Sequence, residues 1–260
     1  MKKYKYLKYL FIFLVILFFI NKNIRLNNIR KLKLIDILPK TIKNHMIPDI
    51  LISPGGRYGS YQLGICHYIK NHFDIKNKKI LGFSAGSWNT LFMSIDKKYT
   101  TECLKKFFKI KTTHLPSIMK QSKNIIEEYN ITDYNIKNIY IASSTLNGLV
   151  IYNNFITTQD LTRCCMASSF IPYLTYNDIL FFYKNCLSAD GGVYCKNYIK
   201  TIPSSTLIIS FKMFGRYKNM NIFKEFLKKK KPSIYDLYIK GYRDACKNHT
   251  YFEKYLNSIV

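Results

Sequence analysis

From residue 49 onward the chain alternates between two kinds of apolar pattern. Residues 49–53, 79–81, 139–142, 149–152, 179–183 and 206–211 are short, nearly continuous apolar runs bounded by polar or glycine-bearing segments, which predicts strands, those at 49–53 and 206–211 buried. Residues 61–69, 88–93, 101–109, 115–129, 160–166, 222–228 and 234–256 repeat apolar side chains every three or four positions, which predicts helices. Asn147-Gly148 separates two of the runs and predicts a hairpin. Pro172 stops whatever follows the helix at 160–166. Helices alternating with strands predict an α/β sandwich.

Ahead of this domain the pattern changes twice. Residues 9–20 are apolar without interruption and follow Lys2, Lys3, Lys5 and Lys8. The run is shorter than the roughly 20 residues a membrane span needs, and closer to the apolar region of a signal peptide. Asn21-Lys22-Asn23-Ile24, however, offers no small residues for cleavage. Tyr4, Tyr6 and Leu7 extend the run, and Lys5 and Lys8 can snorkel. The expectation is therefore an uncleaved single-pass anchor over residues 1–20 that holds the protein at a membrane, with a buried core helix as the alternative. Lys22, Arg25, Arg30, Lys31 and Lys33 balance the leading lysines, so the charge pattern selects no orientation. Residues 21–48 read as a basic stalk broken by Pro39 and Pro48, and residues 49–260 as the folded domain.

The chain holds 41 Lys and Arg against 15 Asp and Glu, a formal charge of +26. Such an excess fits an anionic partner, either a phospholipid surface or nucleic acid, although a sequence saturated with Lys, Asn, Ile and Tyr gains charge without one. No zinc-finger spacing, RNA-binding signature or basic zipper accompanies it. An anionic membrane surface is the expected partner; nucleic acid and an obligate protein partner are not expected. A hydrophobic content of 48% argues against disorder and lets one domain bury a full core. The seven cysteines have neither a framework nor a metal-ligand spacing, which predicts reduced thiols and no structural zinc.

Three stretches carry chemistry. Gly82-Phe83-Ser84-Ala85-Gly86 reads Gly-x-Ser-x-Gly between a short strand and a helix, the order of a nucleophile elbow. Gly82 and Gly86 suit it because strand and helix backbones converge there, and Ser84 then projects above the first amides of the helix. Upstream, Pro54-Gly55-Gly56-Arg57-Tyr58-Gly59 lies between a strand and a helix, an anion-binding construction. No Lys-Ser or Lys-Thr follows at the offset a nucleotide phosphate loop requires. It fits an oxyanion hole, with Gly55 and Gly56 turning amides toward a carbonyl held at Ser84. Downstream, Asp190-Gly191-Gly192 puts an acid before paired glycines in an apolar setting, which taken alone also suits a simple turn.

Together with Ala167-Ser168-Ser169-Phe170-Ile171-Pro172, these motifs stand in an order that resembles the patatin-like phospholipase family. The resemblance implies a three-layer α/β/α sandwich with a mostly parallel central sheet, and hydrolysis of phospholipid acyl esters by a Ser/Asp dyad without metal or cofactor. It makes Ser84 the nucleophile, Asp190 its base, and Gly55, Gly56 and Arg57 the oxyanion loop. Gly59, Gly82, Gly86, Gly191 and Gly192 are the motif glycines. The chain departs from the family in two places. Pro54, which has no amide hydrogen, stands where a third glycine usually opens the loop. Tyr58, not a basic residue, directly precedes Gly59, and Arg57 sits one place earlier. Two other readings remain at this point. One is an α/β-hydrolase triad of Ser84, Asp190 and His249, which satisfies the order Ser, acid, His. The other is a catalytically silent, membrane-tethered protein that binds anionic lipid.

Overall fold

The apolar runs assemble into one sheet in the computed structural model, which describes residues 41–145, 147–220 and 231–259. In chain order the elements are β1 (Ile42–Lys43), β2 (Ile50–Ile52), α1 (Gly59–His72), β3 (Ile80–Phe83), α2 (Ala85–Ser94), α3 (Lys97–Phe108), α4 (Leu115–Glu127), β4 (Ile139–Thr145), β5 (Gly148–Tyr152), α5 (Thr158–Ser168), β6 (Phe182–Tyr183), β7 (Cys186–Ala189), α6 (Gly192–Ile199), β8 (Leu207–Ile209), α7 (Ile234–Lys247) and α8 (His249–Phe252). The strand order is β1-β5-β4-β3-β2-β8, and β7 pairs both with β6 and with the end of β4. β8, β2, β3 and β4 are mutually parallel; β5 runs antiparallel to β4, and β1 runs parallel to β5. The protein is thus α/β, with a mostly parallel central sheet and flanking helices.

Register explains the core. Ile50, Ile80, Ile139 and Leu207 stand side by side across four strands, so alternate residues of each strand share a face. Over β2, β3 and β8 that face packs against α1 and α7; over β4 and β5 it packs against α2, α4 and α5. The opposite face carries Leu51, Leu81 and Phe83, and there the Phe83 ring meets Tyr198 of α6 at 5.5 Å. β2 and β3 are buried on both faces, which is why both read as unbroken apolar runs.

Helix starts follow local chemistry. Asp96 accepts from the Lys98 amide at the head of α3, Thr157 from Asp160 at α5, and Ser233 from Asp236 at α7. The Lys70 ammonium, buried in the last turn of α1, donates to the carbonyls of Phe92 (2.8 Å) and Ile95 (2.5 Å) at the far end of α2. Burial lowers its pKa to about 7. Helices α1 and α7 cross with no room for side chains. A Cβ on Gly64 would lie 2.1 Å from the Tyr238 carbonyl oxygen, and one on Gly241 would lie 1.9 Å from that of Tyr61.

Several elements differ from the sequence expectation. Ile42–Lys43, within the stretch read as stalk, form an edge strand beside β5. The helix expected over 101–109 begins four residues earlier, where the Asp96 cap sets it. The helix expected over 234–256 is broken at Asn248 into α7 and α8. A helix the periodicity did not show, α6, starts at Gly192 immediately after the Asp-Gly-Gly motif. The apolar run at 179–183 is a strand only at Phe182–Tyr183. Ile179, Leu180 and Phe182 are 40%, 56% and 54% exposed, because β6 pairs only with β7 and no sheet face covers it. The seven cysteines form no disulfide, and five of them are buried. No helix among the described residues is long and apolar enough to cross a membrane. The anchor expected over residues 1–20 and the helix expected over 222–228 lie outside the described residues.

The α1–α7 crossing gives a direct test of packing. Gly241→Val should lower stability by about 1–3 kcal/mol, the usual range for overpacking, read as a lower urea midpoint at unchanged slope.

Candidate active site

β2 and β3 lie next to each other in the sheet, and both the glycine-rich loop and Ser84 leave their carboxyl ends, the end at which open α/β sheets bind ligands. Ser84 has φ 54° and ψ −125°, a left-handed conformation that costs a non-glycine residue of order 1–3 kcal/mol. Its neighbours hold it there. The Ser84 amide donates to Ser168 Oγ at 2.9 Å, and Ser168 Oγ in turn donates to the Ala142 carbonyl at 2.7 Å. Ser87 Oγ donates to the Ser84 carbonyl at 2.6 Å. The elbow glycines are steric necessities: a Cβ on Gly86 would sit 2.2 Å from the Ile52 carbonyl oxygen, and one on Gly82 would sit 2.5 Å from the Ser87 Cα.

The structure brings Ser84 and Asp190 together across 106 residues, with Ser84 Oγ donating to Asp190 Oδ2 at 2.6 Å. Asp190 leaves β7 where that strand pairs with the end of β4. Its amide donates to the Phe170 carbonyl, and its carbonyl accepts from Ser144 Oγ at 2.8 Å. Asp190 Oδ1 accepts the Gly192 amide at 2.7 Å, at the start of α6. Gly191 passes close to β4, where a Cβ would lie 2.3 Å from the Ala142 carbonyl oxygen. Among the described residues no cation pairs with the carboxyl; burial dominates and raises its pKa to about 6, opposed by the bonds from Ser84 and the Gly192 amide.

Gly56 (φ 51°) and Arg57 line the pocket above Ser84, along with Gly59 and Ala85. Gly55 does not line the pocket, and a Cβ on it would lie 2.2 Å from Gln62 Oε1. The Arg57 guanidinium donates to the Thr113 carbonyl in the loop before α4, and burial lowers its pKa. Gly59 accommodates the start of α2, where a Cβ would meet that of Ala85 at 2.8 Å. Gln62 and Asn89 fix the loop from below. Gln62 Nε2 donates to the Ser53 carbonyl at 2.9 Å, and Asn89 Nδ2 donates to the Gly59 carbonyl at 3.0 Å.

The pocket is a cavity of about 100 Å³ between the loop and α2, α4 and the start of α7, mostly apolar in surface, with Arg57, Ser60, Asn89, Ser122 and Thr175 also on its lining. A second cavity of about 70 Å³ shares Leu63, Trp88, Asn89, Phe107 and Ser122 with it and continues to Cys103, Ile125 and Ile126. His249 is not part of this site. Its Nδ1 meets the Tyr68 hydroxyl at 2.9 Å, its Nε2 lies 3.4 Å from Glu253, and its ring stacks on Phe73 at 4.9 Å. Tyr68 is roughly 13 Å down α1 from Gly59. Among the described residues no group of three or more His, Cys, Asp or Glu side chains is placed to hold a metal ion.

Ser168, Ser144, Gln62 and Asn89 support the site and were not singled out as functional residues from the sequence. Only Ser168 had a signal there, as part of the Ala-Ser segment. No protein-family model matches the chain, and no curated protein matches it in sequence.

The strained elbow yields a comparison of two substitutions. Ser84→Ala and Ser84→Gly both delete the hydroxyl, but only glycine relieves the positive φ. Less the entropy that glycine adds to the unfolded chain, Ser84→Gly should be the more stable by about 1 kcal/mol, measured by denaturant unfolding.

Proposed function

We propose that the protein is a patatin-like lipid acyl hydrolase that cleaves carboxylic ester bonds of phospholipids or lysophospholipids through a Ser84/Asp190 dyad. The hydrogen bond from Ser84 Oγ to Asp190 Oδ2 carries the reading, because a serine hydroxyl needs a base within reach to become a nucleophile. The α/β sheet with helices on both faces agrees with a three-layer α/β/α sandwich. The catalytically silent alternative has no use for a strained serine aimed at a buried carboxylate.

In the proposed reaction Asp190 takes the hydroxyl proton as Ser84 Oγ bonds to the ester carbonyl carbon. The carbonyl oxygen gains the negative charge and rests against the backbone amides of Gly56 and Arg57, at the head of the short helical turn Gly56–Tyr58. Asp190 returns the proton to the departing alkoxide as the carbon–oxygen ester bond breaks, leaving an acyl serine and an alcohol or lysolipid. Water, deprotonated by Asp190, attacks the acyl serine; the fatty acid leaves and Ser84 recovers its proton. Asp190 must be ionised to start, and its pKa of about 6 puts it in that state at neutral pH while keeping it basic enough to act. In this reading the Arg57 side chain, bonded to the Thr113 carbonyl, steadies the loop whose amides serve the oxyanion. The paired cavities offer the acyl chain an apolar channel that ends at Cys103 and Ile126.

Four outcomes are expected. Wild-type kcat/KM on an acyl ester should rise with pH through about 6 and then level off, since the carboxylate is the active form. Asp190→Asn should lose about 10²–10⁴-fold, as removal of a general base does, whereas His249→Ala should stay near wild type; turnover by the first or loss in the second would sink the dyad. Because folding favours the protonated form of Asp190, its ionisation costs stability as pH rises from 3.8 through about 6. Asp190→Asn should therefore gain on the wild type by up to about 3 kcal/mol across that window, read by unfolding at pH 3.5 and 7.5. Ser122→Phe, at the junction of the cavities, should shift preference toward shorter acyl chains. Two excluded methylenes are worth about 1.6 kcal/mol, a more than tenfold drop in the octanoate-to-butyrate rate ratio.

A further inference from the structure

The apolar run at 179–183, read from the sequence as a strand, is a feature the proposed chemistry leaves unused. Ile179 and Leu180 follow exposed Asn177 and Asp178, and Phe182 opens the β6–β7 hairpin. Three large apolar side chains within four residues therefore face solvent, where isolated exposed hydrophobics are ordinary but clusters are not. Phe181, between them, turns inward and packs on Phe170 at 5.5 Å and Tyr176 at 6.2 Å. That anchors the run to the pocket wall. Tyr176 is 3.3 Å from Ser169 Oγ, and Ser169, Ile171 and Thr175 line the pocket. The run is rigidly attached rather than free, because the Ser188 amide donates to the Phe181 carbonyl and Lys184-Asn185 close the hairpin with positive φ of 45° and 60°.

We infer that Ile179, Leu180 and Phe182 form a rim that the protein lays into an anionic lipid surface, bringing the mouth of the Ser84 pocket against its substrate. This inference rests on the lipid-hydrolase reading for its purpose. The choice of occupant rests on charge. At the rim itself exposed Arg163 donates to the Phe182 carbonyl at 3.4 Å, while Lys184 in the hairpin turn is paired with Asp160 at 3.6 Å and Asp178 is exposed beside Ile179. The whole chain carries +26. An apolar tip with an arginine against it, on a chain of such positive charge, is suited to insertion among acyl chains under anionic headgroups. A second copy of this chain would bring the same positive charge and repel it.

The test uses the full chain, wild type and Leu180→Asp/Phe182→Asp, on two substrates: monomeric p-nitrophenyl butyrate, and phosphatidylglycerol in mixed phosphatidylcholine vesicles. The variant should keep its rate on the soluble ester within twofold and lose at least tenfold on vesicles. Equal rates relative to wild type on both substrates would overturn the inference. Phe182→Trp supplies a readout that needs neither turnover nor the double variant. Doxyl-labelled vesicles should quench it beyond the wild-type Trp88 background, more so as phosphatidylglycerol increases. No added quenching, or a dimer in light scattering that Leu180→Asp dissolves, makes the rim a protein contact and overturns the proposal. If the wild type hydrolyses neither ester, the hydrolase reading falls, and the quenching alone decides whether the rim meets lipid.

Discussion

The closest backbone approach in the site is between α2 and the end of β2, where Gly86 leaves no Cβ between its own backbone and the Ile52 carbonyl. Everything else in the pocket follows from that contact. With α2 pressed against the strand ends, the chain between β3 and α2 has one residue in which to reverse, and that residue is forced to positive φ. The strain is held by neighbouring helices bonded into the core. Ser168 of α5 ties the Ser84 amide to the middle of β4, and Lys70 of α1 ties down the other end of α2. Strain persists where surrounding structure over-determines it, and here four elements do so.

The same crowding governs the carboxylate. Among the described residues Asp190 has one hydroxyl and one amide for side-chain partners and no cation, so burial prevails over hydrogen bonding and its pKa rises. An arginine or lysine beside it would add stability and remove basicity. On the proposed reading the site gives up folding free energy at neutral pH to keep a usable base, the direction in which stability and activity commonly oppose each other. The paired glycines after Asp190 let the chain turn beneath β4 and begin α6 at once, so the helix start supplies the single amide that steadies the carboxylate.

The sequence exposed the site better than it exposed the fold's edges. Ser84, Gly82 and Gly86 were legible because an elbow admits few residue types at fixed spacing. The strands β2 and β3 were legible because strands buried on both faces lose their alternation. α6 was missed because its eight residues are too few to show a helical period. The run at 179–183 was read as one strand and is a strand only at Phe182–Tyr183, because composition reports apolarity and only topology reports how far a partner strand extends. Ser144, Gln62 and Asn89 act by hydrogen bonds to backbone atoms far along the chain, and no local pattern encodes those. Asp190 could be named only by its order among the motifs, since acid-glycine pairs are ordinary in turns.

On the proposed reading the rim and the pocket serve one substrate, met at an exposed apolar tip and cleaved at the serine. Central to that reading is the claim that Ser84 is a nucleophile activated by Asp190. Treatment of the folded full-length protein with a fluorophosphonate, followed by peptide mass spectrometry, tests that claim most directly. The account predicts one covalent adduct, on Ser84, formed rapidly in the wild type and slowed at least a hundredfold in Asp190→Asn. A folded protein left unlabelled at Ser84, or labelled equally fast without Asp190, would contradict it.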